Sequence, residues 1–235
     1  MIHGSSSHGQ AEIIVALDEP SFDDALKLMD RLEGRARFYK VGLQLFTAAG
    51  PAAVEAVKAR GARVFLDLKL HDIPNTVASA VKSARGLGVD LCTIHLSGGP
   101  EMAAAATEAA GDALTILGVT VLTSSNIETL EACGVHGSVG EQVMRLAKMG
   151  YSAGVRGFVA SALELPLLRA ELGEDPLLVI PGVRPAGADA GDQKRTATPA
   201  DVVRGGATHL VIGRPISRAD DPRGAFDRIT LEMAG

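Results

Sequence analysis

The stretch V-F-L-D-L-K-L-H-D-I-P-N-T, residues 64–76, joins a short apolar run to a charged turn and the start of a helix. Side chains of a strand alternate between its two faces, so Asp67 and Lys69 are predicted to share one face where the strand ends. Pro74 has the fixed φ that suits the first turn of a helix. Taken alone, the same charges fit a solvated salt-bridge turn equally well.

Similar apolar runs recur along the whole chain, and each is followed by a segment with helical periodicity. The runs are residues 12–17, 38–41, 63–67, 91–96, 114–121, 156–160, 177–181 and 208–212. Amphipathic segments such as 21–32 and 52–58 lie between them, and Ser21 is placed to cap the first. Strands that alternate with helices imply right-handed crossovers and a parallel sheet.

The number of these units predicts the fold class. Eight strand-helix units in roughly 225 residues predict a single-domain (β/α)8 TIM barrel, an α/β fold of about 250 residues. We assign residues 1–10 to a disordered tail or an expression leftover and residues 11–235 to the barrel. A doubly wound sheet is the alternative, but no G-x-G-x-x-G follows the first apolar run.

Composition disfavours several functional classes. A net charge of −5, an aromatic content of 3% and the lack of tryptophan do not suit a surface for nucleic acid. A few converging basic groups and backbone N–H groups can still bind an anion. No apolar run approaches the ~18 residues of a membrane span. Cys92 and Cys133 have no C-x-x-C spacing, so both are predicted to be reduced packing residues of a cytoplasmic protein.

Charged residues occur where the predicted strands end, which is where (β/α)8 barrels carry out their chemistry. Asp18 follows the first strand, Lys40 lies in the second, and Asp67 and Lys69 end the third. A lysine within an apolar strand needs a charged partner if it faces inward, and the alternative is an outward side chain that reaches solvent. His95 ends the fourth strand, where a hydrogen-bonded core role is commoner than a catalytic one.

Polar residues also follow the later strands. Thr123 and Ser124 can offer a hydroxyl or a backbone N–H to a heterocycle, or they can cap a helix before Asn126. Gly213 and Arg214 end the eighth strand, where barrels often bind phosphate through a close backbone N–H and a guanidinium group. The loop 185–195 is rich in glycine and alanine, and we expect it to close over a phosphorylated ligand.

Taken together, these segments resemble the orotidine 5′-phosphate decarboxylase family. The resemblance covers the chain after residue 10, and the motifs follow the family order. They are V-A-L-D (15–18), F-Y-K-V-G (38–42), F-L-D-L-K-L-H-D-I-P-N-T (65–76), V-T-V-L-T-S (119–124), P-G-V-R (181–184), G-D-Q-K-R (191–195) and V-I-G-R-P-I (211–216).

The resemblance implies an enzyme that converts orotidine 5′-phosphate to uridine 5′-phosphate and CO₂ without a metal or an organic cofactor. Lys69 would be the proton donor within an alternating charged tetrad. The tetrad would be Lys40, Asp67, Lys69 and Asp72. The remaining contacts would be Asp18 and Lys40 to the ribose, Thr123 and Ser124 to the pyrimidine, and Arg184, Gln193, Gly213 and Arg214 to the phosphate.

The resemblance also implies a homodimer with shared active sites, in which Asp72 and Thr76 reach the site of the neighbouring subunit. Two other functions stay open at this point. One is a magnesium-dependent sugar-phosphate decarboxylase or aldol-type synthase of the same barrel superfamily, in which a metal stabilises an enediolate. The other is a barrel that binds nucleoside monophosphates without catalysis, since a fold alone does not establish an activity.

Overall fold

Eight parallel strands close into a barrel and pair in the order of the sequence. The computed structural model of the chain describes residues 11–185 and 197–235. The strands are β1 (Glu12–Ala16), β2 (Phe38–Gly42), β3 (Arg63–Leu70), β4 (Leu91–His95), β5 (Thr115–Val119), β6 (Gly157–Val159), β7 (Leu177–Pro181) and β8 (His209–Ile212). The predicted (β/α)8 TIM barrel is therefore confirmed, and the doubly wound alternative is wrong.

Helices follow the strands and surround the barrel. Those of the described residues are α1 (Phe22–Arg31), α2 (Leu43–Ala49), α3 (Pro51–Lys58), α4 (Pro74–Gly86), α5 (Pro100–Ala110), α6 (Ile127–Ala132), α7 (Val139–Ser152), α8 (Leu165–Leu172), α9 (Pro199–Arg204), α10 (Arg214–Ser217) and α11 (Pro222–Met233). Ser21 caps α1, as predicted, because its hydroxyl accepts a hydrogen bond of 3.1 Å from the Asp24 N–H. Pro74 begins α4, which also agrees with the sequence prediction.

The barrel interior has an apolar layer with polar side chains above it. The apolar layer consists of Ile14, Ala16, Phe38, Phe65, Leu91, Leu117, Val179 and Val211. Two positions beyond Phe38, Phe65 and Leu91, the next inward-facing residues of β2, β3 and β4 are polar, because strand side chains repeat with period two. They are Lys40, Asp67 and Thr93. A charged layer thus lies on an apolar floor near the carboxyl ends of the strands.

Strand β3 continues to Leu70 and contains a bulge that the sequence did not predict. Leu66 pairs with Cys92 and Leu70 with Ile94, so residues 67–69 of β3 lie opposite Thr93 alone. Lys69 has a φ of 50°, and it is the one non-glycine residue with positive φ among those described. Extra residues bend a strand and change the direction of its side chains. The bulge therefore determines the direction in which the Asp67 and Lys69 side chains point into the site.

His209 lies at the amino-terminal end of the barrel, away from this charged layer. Its ring meets Phe38 edge-on at a centroid distance of 5.8 Å, and the Arg63 guanidinium lies 4.1 Å from the centre of the Phe38 ring. The pKa of His209 is lowered to about 4, chiefly by burial; Glu12 opposes the shift and Arg63 adds to it. His209 is therefore neutral in the folded protein at neutral pH.

The low pKa of His209 predicts a loss of stability in mild acid. Between pH 6.5 and 4 the unfolded chain binds a proton at His209 that the folded protein does not bind. The contribution of neutral His209 to the free energy of unfolding is therefore complete above pH 6.5, and it is lost as the pH falls towards 4. The free energy of unfolding of the wild-type protein is expected to decrease from pH 7 to pH 4.5. In His209→Gln this decrease is expected to be smaller by roughly 2–3 kcal/mol. Urea unfolding at both pH values measures the difference.

His136→Gln is the matched control for this experiment, because His136 is exposed. The control is expected to keep the pH dependence of the wild-type protein. An unchanged pH dependence in His209→Gln would show that His209 titrates normally in the folded state.

The cysteine and membrane predictions have different outcomes. Cys92 is buried, and burial raises the pKa of its thiol to about 12, so it is a packing residue as predicted. Cys133 is exposed, so the prediction of a packing role is wrong for this residue. It follows the short helix α6, whose residues are mostly exposed. Within the described part of the chain, no helix has the length and apolar character needed to cross a bilayer.

Candidate active site

Lys40 lies inside the barrel between two carboxylates. Its Nζ donates to Asp18 Oδ1 at 2.8 Å and lies 3.8 Å from Asp67 Oδ2. Only 8% of the residue is exposed, so the outward-facing alternative is wrong. A buried ammonium group is tolerated when carboxylates replace its hydration, and here the segment after β1 and strand β3 supply them. The pairing joins three neighbouring strands at one end of the barrel.

Asp67 links Lys40 to Lys69. The Lys69 ammonium donates to both carboxylate oxygens of Asp67 at 2.8 Å. The Asp67 side chain is 12% exposed and the Lys69 side chain 29% exposed, so the lysine lies nearer the open end of the barrel. Asp18, Lys40, Asp67 and Lys69 thus form a row of alternating charge within one subunit.

Thr93 is a polar residue of this site that the sequence analysis missed. The residue is fully buried. Its hydroxyl accepts a hydrogen bond of 2.9 Å from the Lys69 N–H and donates one of 3.0 Å to Asp67 Oδ1. A threonine within the apolar run 91–96 gave no signal of its own. Only the strand pairing shows that Thr93 lies opposite the bulge of β3.

Gly42 leaves the space that the Lys40 head group occupies. A Cβ atom on Gly42 would lie 2.7 Å from Lys40 Nζ and 3.3 Å from Asp18 Oδ1. Real Cβ atoms do not approach other atoms as closely as the first distance, so any side chain at this position would displace the ammonium group. The glycine of F-Y-K-V-G therefore contributes to the site, although the sequence analysis gave it no role.

Two adjoining cavities open at the carboxyl ends of the strands, with volumes of about 420 Å³ and 160 Å³. They share Lys40, Pro181 and Val211. The larger cavity is polar and includes Asp18, Glu19, Arg184, Gly213, Arg214, Ser217 and Arg218. The smaller cavity is mainly apolar and includes Phe65, Asp67, Lys69, Val119, Val121, Leu122, Thr123 and Val159. The row of charges therefore separates a cationic compartment from an apolar one.

Three of the described residues predicted for the site do not line these cavities. Asp72 and Thr76 are exposed on the rim, and the Asp72 carboxylate accepts a hydrogen bond of 2.6 Å from the Ile73 N–H. Ser124 is also exposed, beside Thr123. Gln193 and most of the loop 185–195 lie outside the described residues. The roles of these residues stay predictions.

The alternative role of Thr123 and Ser124 as helix caps is wrong. Asn126 caps α6, because its side-chain oxygen accepts a hydrogen bond of 3.0 Å from the Thr129 N–H. Thr123 instead lines the apolar cavity near Lys69. This position is compatible with a contact to a bound ring.

His95 is half-buried at the end of β4, next to the charged layer. Its ring centroid lies 5.7 Å from that of His71. Burial lowers the pKa of His95, and the charges of His71 and Lys69 lower it further, while Asp67 opposes the shift. The ring therefore lies at the border of the site rather than deep within the core. Within residues 11–185 and 197–235, no group of three or more His, Cys, Asp or Glu residues is arranged to hold a metal ion.

The closed barrel and the alternating lysine and aspartate charges at its carboxyl-terminal face define a (β/α)8-barrel enzyme. The chain belongs to the orotidine 5′-phosphate decarboxylase / HUMPS family, whose model matches residues 11–229.

Relatives of known name and structure agree with this family. The chain is 49% identical to an orotidine 5′-phosphate decarboxylase of Moorella thermoacetica, with 96% of this chain and 93% of the relative covered. It is 50% identical to one of Anaeromyxobacter sp., with coverages of 94% and 97%. The crystal structure of orotidine 5′-phosphate decarboxylase from Lactobacillus acidophilus matches with a TM-score of 0.85 at 35% identity, with 96% of this chain and all of that chain covered.

Proposed function

We propose that the protein is a decarboxylase that converts orotidine 5′-phosphate to uridine 5′-phosphate and CO₂ in de novo pyrimidine biosynthesis. The observation that carries this proposal is the Lys69 ammonium, which Asp67 holds at 2.8 Å beside an apolar cavity. Membership of the family and the names of the relatives support the same substrate. A cytoplasmic location goes with the proposed biosynthetic role.

The proposed chemistry requires a cation next to the reacting carbon. Loss of CO₂ from C6 of the pyrimidine leaves an electron pair in an in-plane orbital, which the ring carbonyl groups cannot delocalise directly. An ammonium group at C6 attracts the developing carbanion more strongly than the neutral product, so it stabilises the transition state selectively. Lys69 then transfers a proton to C6. The charge is supplied by the protein, and the proposed reaction needs no cofactor.

The two cavities suit the two ends of this substrate. The apolar cavity has the character of a site for a planar ring, with Thr123 at its edge and Ser124 adjacent in sequence. We assign the ribose hydroxyls to Lys40, which lines both cavities, and to its partner Asp18, which lines the larger one. Arg184, Gly213 and Arg214 line the polar cavity and are assigned to the phosphate.

The phosphate contacts have a second proposed role. Enzymes lower reaction barriers by ~8–23 kcal/mol, and a single ion pair does not reach the upper end of this range. Binding energy from a remote phosphate can hold the reacting ring against Lys69. The sequence assigns Gln193 and the loop 185–195 to this step, with closure of the loop over the bound phosphate.

A homodimer with shared sites is the proposed assembly. Among the described residues, Lys40 and Lys69 form their ion pairs with Asp18 and Asp67, and no ion pair joins either lysine to Asp72. Asp72 instead lies exposed on the rim beside Ile73, whose large apolar side chain is 66% exposed. Thr76 is exposed one turn further along α4. In a two-fold dimer the same patch serves both subunits, so Asp72 can complete the charged tetrad of the partner.

An absorbance assay with orotidine 5′-phosphate tests the proposed function. We expect turnover before and after exhaustive chelation of metal ions. A large loss on chelation that magnesium restores, together with turnover of a sugar phosphate, would instead establish the metal-dependent alternative. Binding of uridine 5′-phosphate without any turnover would identify a non-catalytic barrel.

Arg214 is predicted to contribute mainly to binding. Loss of a charged hydrogen bond costs ~1.5–3 kcal/mol, so Arg214→Ala is expected to weaken binding of uridine 5′-phosphate by roughly 10- to 100-fold. The effect on kcat is expected to be smaller and to reflect poorer loop closure. Isothermal titration calorimetry and steady-state kinetics separate the two effects.

Arg204→Ala is the matched control, because Arg204 is exposed at the end of α9 and pairs with Asp201. We expect wild-type affinity in this variant. Equal affinities in Arg214→Ala and the wild-type protein would remove Arg214 from the phosphate site.

A further inference from the structure

The bulge of β3 leaves a backbone donor without its usual strand partner. Residues 67–69 lie opposite a single residue of β4, so the regular ladder is interrupted between Leu66 and Leu70. Lys69 lies within this interruption and has a φ of 50°. Residues other than glycine rarely adopt this backbone conformation. Such a conformation persists only where surrounding contacts fix it. The contact that the structure provides is the Thr93 hydroxyl.

One hydroxyl group joins the Lys69 backbone to the Asp67 side chain. Thr93 Oγ1 lies 2.9 Å from the Lys69 nitrogen and 3.0 Å from Asp67 Oδ1. The ionised carboxylate only accepts hydrogen bonds and the backbone N–H only donates. The hydroxyl proton must therefore point at Asp67, while an oxygen lone pair receives the Lys69 N–H. Both directions are fixed by the partners.

The surroundings of Thr93 make this link rigid. The residue is fully buried and lies in the middle of β4, between Cys92 and Ile94, which both pair with β3. A threonine side chain is stiff at χ1, so its hydroxyl is held in one direction. Water cannot readily replace a hydroxyl group in so closely packed a position. The link therefore fixes Asp67 and Lys69 relative to the barrel.

We propose that Thr93 is a positioning residue for the decarboxylation: it holds the Lys69 backbone in its bulged conformation and the Asp67 carboxylate beneath the Lys69 ammonium. This inference rests on the proposed function of the same site. Thr93 would not touch the substrate. It would act through Lys69 and Asp67, by keeping the ammonium group where the carbanion forms.

The test compares Thr93→Val with Thr93→Ser. Valine keeps the branched shape and removes the hydroxyl, whereas serine keeps the hydroxyl. A displacement of about 1 Å at a reacting group costs on the order of 10²-fold in rate, so kcat of Thr93→Val is expected to fall by ~10²-fold. KM and the affinity for uridine 5′-phosphate are expected to change less than about threefold, because the proposed phosphate contacts lie elsewhere. Thr93→Ser is expected to recover kcat to within about threefold of wild type.

Thr120→Val is the matched control. Thr120 is also a buried threonine of the barrel, but its hydroxyl donates to the Val159 carbonyl oxygen at 3.2 Å and not to a charged residue. This control accounts for the general cost of removing a buried hydroxyl, and its kcat is expected to stay near that of wild type. Equal kcat values in Thr93→Val and Thr120→Val, or a Thr93→Ser variant as slow as Thr93→Val, would overturn the inference.

A second measurement does not depend on catalysis or on the stability of Thr93→Val. Hydrogen exchange by NMR should show slow exchange of the Lys69 amide in the wild-type protein and in Thr93→Ser. Exchange at the rate of a free amide in the folded wild-type protein would overturn the inference. Failure of the wild-type protein to decarboxylate orotidine 5′-phosphate would reject the proposed function, while the Lys69 amide would still report whether Thr93 fixes the bulge.

Discussion

Replacing Lys69→Ala is expected to abolish nearly all turnover of orotidine 5′-phosphate. A positioned proton donor contributes ~10²–10⁴-fold to the rate, and Lys69 is also proposed to stabilise the carbanion that precedes proton transfer. The variant should still fold, because Asp67 keeps the Thr93 hydroxyl at 3.0 Å and the Lys40 ammonium at 3.8 Å. It should still bind uridine 5′-phosphate, since the proposed ribose and phosphate contacts do not involve Lys69.

Steady-state kinetics and product titration measure the two effects separately. Lys27→Ala is the matched control, because Lys27 forms a surface ion pair with Asp24 on α1. We expect full activity in the control. If Lys69→Ala retained more than about a tenth of wild-type turnover, the loss would be smaller than a proton donor should cause, and the assignment would be wrong.

Mixing two inactive variants is expected to restore activity if Asp72 serves the partner subunit. The variants are Lys69→Ala and Asp72→Ala, and each is expected to be inactive as a homodimer. Random exchange makes about half of the dimers mixed, and each mixed dimer has one site with Lys69 from one subunit and Asp72 from the other. Roughly a quarter of the wild-type sites should therefore reappear. The measurement is the activity of the mixture after subunit exchange has been verified with two affinity tags.

A second mixture, of Lys69→Ala with Lys40→Ala, is the control. Lys40 and Lys69 contact the same Asp67 within one subunit, so every site in this mixed dimer keeps one lesion. No activity should return. If the first mixture also stays inactive, Asp72 acts within its own subunit.

Much of the fold could be predicted from the sequence because its signals are local. Each apolar run is short and is followed by a helical pattern, and Ser21 and Pro74 mark helix starts through their own chemistry. For Lys40 the sequence left an inward and an outward direction open, and the nearby carboxylates made the inward one compatible with the cost of a buried charge. These inferences need only the residue types and their spacing.

The bulge of β3 could not be predicted in this way. Alternation along the strand placed Asp67 and Lys69 on one face, and the two side chains do meet, but the backbone between Leu66 and Leu70 does not follow regular pairing. Which residue of β4 lies opposite depends on register, and register is a relation between two distant segments. Thr93 was missed for the same reason, whereas Gly42 was missed because only the position of the Lys40 side chain shows what a Cβ atom there would meet.

The bulge also limits how this catalytic centre can be transferred to another protein. Strand β3 carries Asp67 and Lys69, but its backbone conformation depends on a hydroxyl group from the neighbouring strand β4. Copying the ten residues 67–76 into a regular barrel would place the same side chains on an evenly paired strand. The Lys69 side chain would then point in a different direction. The smallest unit that can be transplanted is the pair of strands β3 and β4 with their shifted register.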